Sequence, residues 1–313
     1  MEADVAGRAG GNSVPTASSV SVVIPHYGDP APALALIAML EGQFGGRPSQ
    51  VIVSDDASPV PFPETPGAEV VRRETNGGFG SAVNSGVALA REELLLILNS
   101  DLTVGPEFVR DLTAAALPWL PAVLGPLVRD DDGTPAPTAR HFPTAAHQGA
   151  EWLTPLARFR SARWMREAVG HDTRALPGEV LPVDWVVGAA LLLRTEDFRS
   201  VGGFDERFFM NSEEIDLQRR LRERGIPSVF VGTVTVHHTG GGSSDPERRR
   251  AWLVRSRFTY AEKWGSPARL RATLTAATAV NAAVNTGRRV LGRSVHPVDV
   301  AKHELDLLRG SKP

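Results

Sequence analysis

Short runs of consecutive apolar residues, separated by amphipathic stretches, fill the first hundred positions. Ser19–Pro25 (SVSVVIP) is a β-branched run closed by proline, the pattern of a buried strand. Pro32–Glu41 then carries apolar residues at helical spacing, Gln50–Ser54 (QVIVS) reads as a second strand and Ala68–Arg72 as a third. Phe79–Glu93 is expected to be a helix opened by Asn76-Gly77-Gly78, followed by the wholly apolar strand Leu94–Leu98. This alternation predicts an α/β domain whose mostly parallel sheet is flanked by helices on both faces. Such sheets bind ligands at the carboxyl ends of their strands.

Beyond residue 120 the pattern is less regular. Ala122–Val128 is a strand, Arg129–Pro143 is rich in turn residues, and Glu151–Val169 reads as helical, with arginines around Trp152 and Trp164. Val183–Arg194 returns to strand, and Glu213–Arg224 is a helix stopped by Gly225 and Pro227. Val229–His238 leads into the loop Gly240-Gly241-Gly242-Ser243-Ser244, after which the chain reads as helical, with breaks near Gly265–Pro267 and Gly287–Pro297. The expected organisation is a flexible lead-in over 1–18, an α/β body over 19–244 and a basic helical region over 245–313. The lead-in is small and polar and lacks the apolar core of a secretory signal. No apolar run approaches the length of a membrane span. A cytoplasmic protein is expected, held at the inner face of the membrane if its surface provides for it.

Composition narrows the chemistry. The chain has no cysteine, which excludes disulfides, thiolate zinc sites, iron–sulfur clusters and cysteine nucleophiles. Any metal must sit on carboxylate, imidazole or phosphate oxygen. A net charge of −2 hides an asymmetry, since residues 245–313 hold fourteen Lys and Arg against six Asp and Glu. Within this tail Trp252, Leu253, Val254 and Phe258 lie among Arg248, Arg249, Arg250, Arg255 and Arg257. A basic helix with an apolar side can lie in a membrane interface or meet an anionic ligand. Alternatively, its apolar faces pack on the α/β body or on a second copy of the chain, giving a homodimer. A nucleic-acid partner is not expected.

Chemistry-bearing residues gather at strand ends. Asp55-Asp56 follows the second strand, where acids can accept hydrogen bonds from ribose hydroxyls or a base, although Asp-Asp-Ala-Ser-Pro is also good turn chemistry. Asn76-Gly77-Gly78-Phe79-Gly80 opens a helix whose free N–H groups suit an anion. It lacks the Gly-Lys-Ser/Thr of a lysine-type phosphate loop. Asn99-Ser100-Asp101 leaves the most apolar strand, so Asp101 is placed to hold a hard divalent cation, or is simply a polar strand exit. Glu213-Glu214 and Asp216 cluster at a helix start, where the helix dipole alone would favour them. His237-His238 can supply an imidazole ligand.

In their order along the chain these motifs resemble the inverting GT-A glycosyltransferases of family 2. The resembling residues are Val22-Val23-Ile24-Pro25, Ser54-Asp55-Asp56-Ala57-Ser58, Asn76 to Gly86, Leu98-Asn99-Ser100-Asp101, Gly202 to Met210 and Glu213-Glu214-Ile215-Asp216-Leu217. Gly125 to Gly133 and Ala139-Arg140 further resemble bacterial dTDP-rhamnose-dependent rhamnosyltransferases of cell-envelope synthesis. The resemblance implies a GT-A fold and transfer of a sugar from a dTDP- or UDP-type donor to a glycan or lipid-linked acceptor, with Mg²⁺ or Mn²⁺ as cofactor. It implies nucleotide-sugar contacts from Pro25, Tyr27, Asp55, Asp56, Asn76, Gly78, Phe79, Gly80, Asn84, Asn99 and Ser100. Asp101 and one of His237 and His238 become metal ligands, Glu214 the general base with Glu213 as alternate, and Trp185, Gly188 and Asp205 acceptor contacts.

The sequence departs from that pattern in places. His26 stands where relatives carry threonine or an apolar residue, Pro59 follows Ser58, and Asp101 is the only carboxylate of its motif. Glu213-Glu214 replaces Glu-Asp, which extends the second side chain by a methylene. Two other classes compete: a nucleotidyltransferase or sugar-nucleotide pyrophosphorylase, and a non-catalytic binding module of the same fold. The first normally has a cationic Gly-rich loop after its first strand, which Pro25-His26-Tyr27-Gly28-Asp29 is not. Retention of Asp101, Glu213, Glu214 and His238 together argues against the second.

Overall fold

The computed structural model describes residues 19–238 and 245–310; the lead-in 1–18 and the loop Gly240–Ser244 fall outside the described residues. The chain begins β1 (Val20–His26), α1 (Ala31–Leu40), β2 (Ser49–Asp55), β3 (Glu69–Arg72), α2 (Phe79–Val87), β4 (Leu94–Leu98), β5 (Leu102–Val104), α3 (Phe108–Ala116) and β6 (Val123–Arg129). It continues through β7 (Ala139–Arg140), α4 (Ala145–Trp152), a 3₁₀ turn (Thr154–Phe159), α5 (Arg163–Ala168), β8 (Val180–Val183), β9 (Trp185–Val186), β10 (Ala190–Arg194) and α6 (Thr195–Ser200). It ends with α7 (Glu213–Glu223), β11 (Ser228–His238), α8 (Pro246–Trp264), α9 (Pro267–Val290) and α10 (Pro297–Gly310).

The main sheet runs β3-β2-β1-β4-β10-β6-β11-β5, with β8 on β11. The parallel arrangement expected from the sequence holds across β3, β2, β1 and β4, and again between β6 and β11. β10 enters antiparallel between these groups. Leu94–Leu98 is buried at every position because both faces of β4 are covered. On one side lies a core with α1 and α3, on the other a core with α2, α6 and α7.

Three predicted elements are shorter than their apolar patterns suggest. The helix expected over Phe79–Glu93 stops at Val87, where tight turns bring Leu89 N to Gly86 O and Ala90 N to Val87 O. Ser21 Oγ then accepts from Arg91 and Glu92 N–H and leads the chain into β4. Glu151–Val169 is divided among the end of α4, the 3₁₀ turn carrying Pro155, and α5. Val183–Arg194 is split at Val187–Ala189 into β9 and β10. β9 leaves the main sheet to pair with β7 as a two-stranded ribbon.

The apolar face of α8 is not free for a membrane. Val254, Phe258 and Ala261 pack with Trp152 of α4, Leu270, Leu274 and Ala277 of α9 and Leu308 of α10. Trp252 packs at a tilt against Phe209, ring centres 5.0 Å apart, and Arg257 pairs with Glu151. Packing on the α/β body is therefore what the pattern of this helix encodes. No helix among the described residues is long and apolar enough to cross a membrane.

Candidate active site

The carboxyl ends of β1, β2 and β4 form the site's first wall. Asp55 is fully buried; its Oδ1 accepts from Ser58 N at 2.9 Å, and its Oδ2 from Phe62 N at 3.1 Å and from Arg72. Burial pushes this carboxyl up, but the bonds from Ser58, Phe62 and Arg72 outweigh it and hold the group below the ordinary aspartate value. Asp56 accepts from Gly77 N at 3.0 Å and Gly78 N at 2.7 Å, and pairs with Arg73 at 2.8 Å. The acid pair thus fixes both the loop after β2 and the Gly-rich segment before α2. Pro25 is buried within β1, Tyr27 stands half exposed at its exit, and His26 packs edge-on against Phe62 at 4.8 Å.

The Gly-rich segment is clamped from the other side by the loop 203–209. Gly78 has φ +85°, and a Cβ there would lie 1.8 Å from Phe209 O, so only glycine fits. A Cβ at Gly80 would meet Phe204 Cβ at 3.0 Å. Phe79 packs edge-on against Phe204, and Asn84 both donates to Phe204 O and accepts from Phe204 N at 2.9 Å. Asn76 is exposed, its Oδ1 accepting from Gly78 N at 3.2 Å.

Past β4, Asn99, Ser100 and Asp101 are half-buried. Asp101 Oδ1 lies 3.0 Å from His238 Nε2, and Asn99 Nδ2 lies 3.4 Å from that same nitrogen. Asp101 holds the imidazole's pKa above the ordinary histidine value, against the opposing effect of burial. His237 is exposed and does not share this contact, as strand alternation requires of neighbouring residues. A carboxylate and an imidazole at hydrogen-bond distance suit a divalent cation whose remaining positions are filled by phosphate oxygens or water. His141, Glu167 and Asp172 also bring ligand atoms within 4.8 Å of one another. There, however, Arg174 binds Asp172 twice and Thr173 binds Glu167, so this cluster holds its own loop together.

The glutamate pair starts α7 directly after Asn211 and Ser212, both left-handed at φ 69° and 70°. Strain of this kind persists only where the surroundings impose it. Glu213 is buried and Glu214 only partly so. Burial raises both carboxyls; beside Glu213 the charge of Glu214 adds to the effect, whereas Arg140 opposes it at Glu214. Only Glu214 of the pair lines the adjacent cavity of about 250 Å³, with Arg140, His141, His147, Trp185, Leu253, Arg257 and Tyr260. A Cβ on Gly188 would lie 3.3 Å from Glu214 Cβ, and Ala189 O accepts from Asn99 N at 2.8 Å. Glu214 is therefore joined through the 188–189 turn to the strand end that carries Asp101.

The family model for glycosyl transferase family 2 matches residues 21–174. An N-acetylglucosaminyl-diphospho-decaprenol L-rhamnosyltransferase of Mycobacterium tuberculosis is 32% identical over 233 residues, covering 68% of this chain and 74% of the relative. The chain belongs to glycosyltransferase family 2. A validoxylamine A glucosyltransferase of Streptomyces hygroscopicus is 29% identical over 74% of this chain and 56% of its own. Among solved structures, S. aureus TarS superimposes with a TM-score of 0.51 at 16% identity, covering 82% of this chain and 42% of TarS. That likeness carries the GT-A fold. Family membership sets aside the pyrophosphorylase reading.

Of the residues expected on the acceptor side of this glycosyltransferase, Trp185 and Gly188 meet Glu214's surroundings and Asp205 does not. Trp185 lines the cavity, with its Nε1 donating to His141 O at 2.9 Å. Asp205 does not line the cavity; Arg207 and Lys263 bind its carboxylate and hold its pKa far below the ordinary aspartate value. Lys263 also reaches Asp216 at 2.7 Å, tying α8 to α7. Sequence reasoning missed Arg140, His141 and His147 as site residues, and Leu253, Arg257 and Tyr260 from α8. The signal for the last group was the basic, aromatic character of a helix whose partner the sequence left open between an anionic surface or ligand and the α/β body.

Proposed function

We propose that this glycosyltransferase moves L-rhamnose from dTDP-rhamnose, with inversion, to a hydroxyl of a saccharide linked through diphosphate to a polyprenol. The relative that is 32% identical bears that activity in its name, and it supports the donor and acceptor class. The observation that carries the reaction is Glu214, which opens onto the cavity while being joined through Gly188 and Ala189 to the Asp101 strand end.

An acceptor hydroxyl in the cavity gives its proton to Glu214 as its oxygen attacks the anomeric carbon. The carboxylate must be ionised to do so. Its burial makes it a stronger base than a solvated glutamate, while Arg140 limits how far its pKa rises. Attack from the side opposite the departing diphosphate inverts the centre in one displacement, with no covalent glycosyl-enzyme. Asp101 and His238 fit a divalent cation, Mg²⁺ or Mn²⁺, which when bound neutralises charge on the leaving diphosphate. Asp55, Asp56 and the segment Asn76–Gly80 form the wall against which the nucleotide rests. In this reading 19–244 is the catalytic body, and α8 completes it rather than forming a separate appendage.

Membrane contact falls to the turn between α9 and α10. There Val290, Leu291 and Val298 are 81%, 83% and 76% exposed, beside exposed Arg288, Arg289 and Arg293. A peripheral position at the inner face of the membrane would bring the lipid-linked acceptor within reach. The reading is tested by incubating the protein with dTDP-rhamnose, UDP-glucose or UDP-N-acetylglucosamine and a synthetic diphospholipid-linked acceptor, with and without Mg²⁺ or Mn²⁺. Metal-dependent release of nucleoside diphosphate, greatest with dTDP-rhamnose, is expected and should be lost in Asp101→Ala. No release from any donor would overturn it.

A further inference from the structure

Among the described residues Arg140 hydrogen-bonds to no carboxylate, although the charges of Glu151 and Glu214, which line the same cavity, act on it. The β7–β9 ribbon fixes it opposite Trp185, whose ring lies 5.7 Å from its guanidinium, and its Nε donates to Pro137 O at 3.2 Å. Among the described residues no ion pair reaches it, and burial lowers its pKa from the ordinary arginine value. Arg257 enters the same cavity from α8, is 11% exposed in its side chain, and is paired among the described residues with Glu151 alone. Burial lowers the imidazoles of His147, which lines the cavity, and of nearby His171, the latter to about 4 with the charges of Arg140 and Arg166 adding to the effect, so the positive charge here belongs to the arginines.

Enclosing an unpaired guanidinium is costly unless an anion arrives to meet it. Glu214, which lines the same cavity, is the proton acceptor of the proposed reaction, and pairing it permanently with Arg140 would weaken it as a base. The cavity, at about 250 Å³, lies just below the roughly 300–1,000 Å³ of pockets for drug-sized ligands. It therefore suits a head group and not a lipid chain. We infer that Arg140 and Arg257 form a clamp for the diphosphate of the acceptor, with the acceptor sugar's hydroxyl turned toward Glu214. This rests on the proposed transfer to a diphosphate-linked saccharide and names the part of the site that recognises that diphosphate.

The test separates the clamp from the reaction. Inorganic pyrophosphate is titrated calorimetrically in EDTA into the full-length protein carrying Asp101→Ala, which removes the metal-dependent donor site. Saturable binding is expected, weakened about tenfold or more by Arg140→Gln and by Arg257→Gln, the loss of one charge-assisted, bidentate contact each. Circular dichroism and thermal melting check that each variant is folded, and Arg257→Gln serves if Arg140→Gln is not. In parallel, KM is measured with diphospholipid-linked N-acetylglucosamine and with octyl N-acetylglucosaminide, at a pH where Glu214 is ionised. Arg257→Gln should raise KM at least about tenfold for the first and leave the second within about twofold. Pyrophosphate affinity indifferent to both arginines, or equal KM changes for both acceptors, would overturn the clamp while leaving sugar transfer standing. Arginine-dependent pyrophosphate binding without transfer from any donor would uphold the clamp and overturn the proposed reaction.

Discussion

Glu213 and Glu214 show how far one residue's placement escapes a sequence. Adjacent positions at a helix start point about 100° apart, so the motif alone could not say which carboxyl meets substrate. The fold places them differently, setting Gly188 against Glu214, which lines the cavity, and leaving Glu213 buried. Burial and the neighbouring charge of Glu214 raise the folded pKa of Glu213, which favours its neutral form in the native state. Stability from this group is full below the ordinary glutamate value and declines as pH rises through the raised one. Glu213→Gln should therefore flatten the fall of Tm with pH above about 5, by melting from pH 4 to 9. A parallel fall in both proteins would mean that Glu213 is ionised and satisfied in the native state.

At the scale of elements, the strands and the Gly-rich helix start were legible because each is local: an apolar run, a period, a breaker. What was not legible depends on contacts distant in sequence. Val183–Arg194 reads as one strand, yet the 188–189 turn is fixed by Glu214 and Asn99, residues no window contains. Arg140 and Trp185 meet only because a two-residue ribbon pairs them. The Gly-rich segment, read as a ligand cradle, also joins Asp56 to the loop that precedes the glutamate pair. Gly78→Ala must push Phe209 O away and adopt a left-handed φ, so a loss of about 2–4 kcal/mol is expected. Turnover should fall with it, since Asn211 and Ser212 lie just beyond the displaced loop. Thermal melting and initial rates on the same preparation check this, and unchanged values in both would remove the loop from the account.

For the whole molecule, the charge asymmetry was visible in the sequence but its destination was not. Arginines at the two ends of the basic region do different things: Arg257 turns into the cavity, while Arg288, Arg289 and Arg293 surround the most exposed apolar residues of the helical region. Each arginine near an anionic surface contributes about 1 kcal/mol, and the contribution fades with salt. Flotation should thus show binding to anionic vesicles at low salt, release at high salt, and loss in Val290→Asp/Leu291→Asp. Equal binding to neutral vesicles, or none to either, would free the α9–α10 turn of this role.

In the proposed reaction Glu214 takes the acceptor's proton in a single inverting displacement. The most direct measurement is the single-turnover rate of sugar transfer by Glu214→Gln, with donor affinity measured on the same sample. The substitution keeps size and polarity but cannot accept a proton, so the rate should fall about 10²–10⁴-fold while donor affinity stays within about twofold. A rate near that of the unaltered enzyme would rule out Glu214 as the proton acceptor.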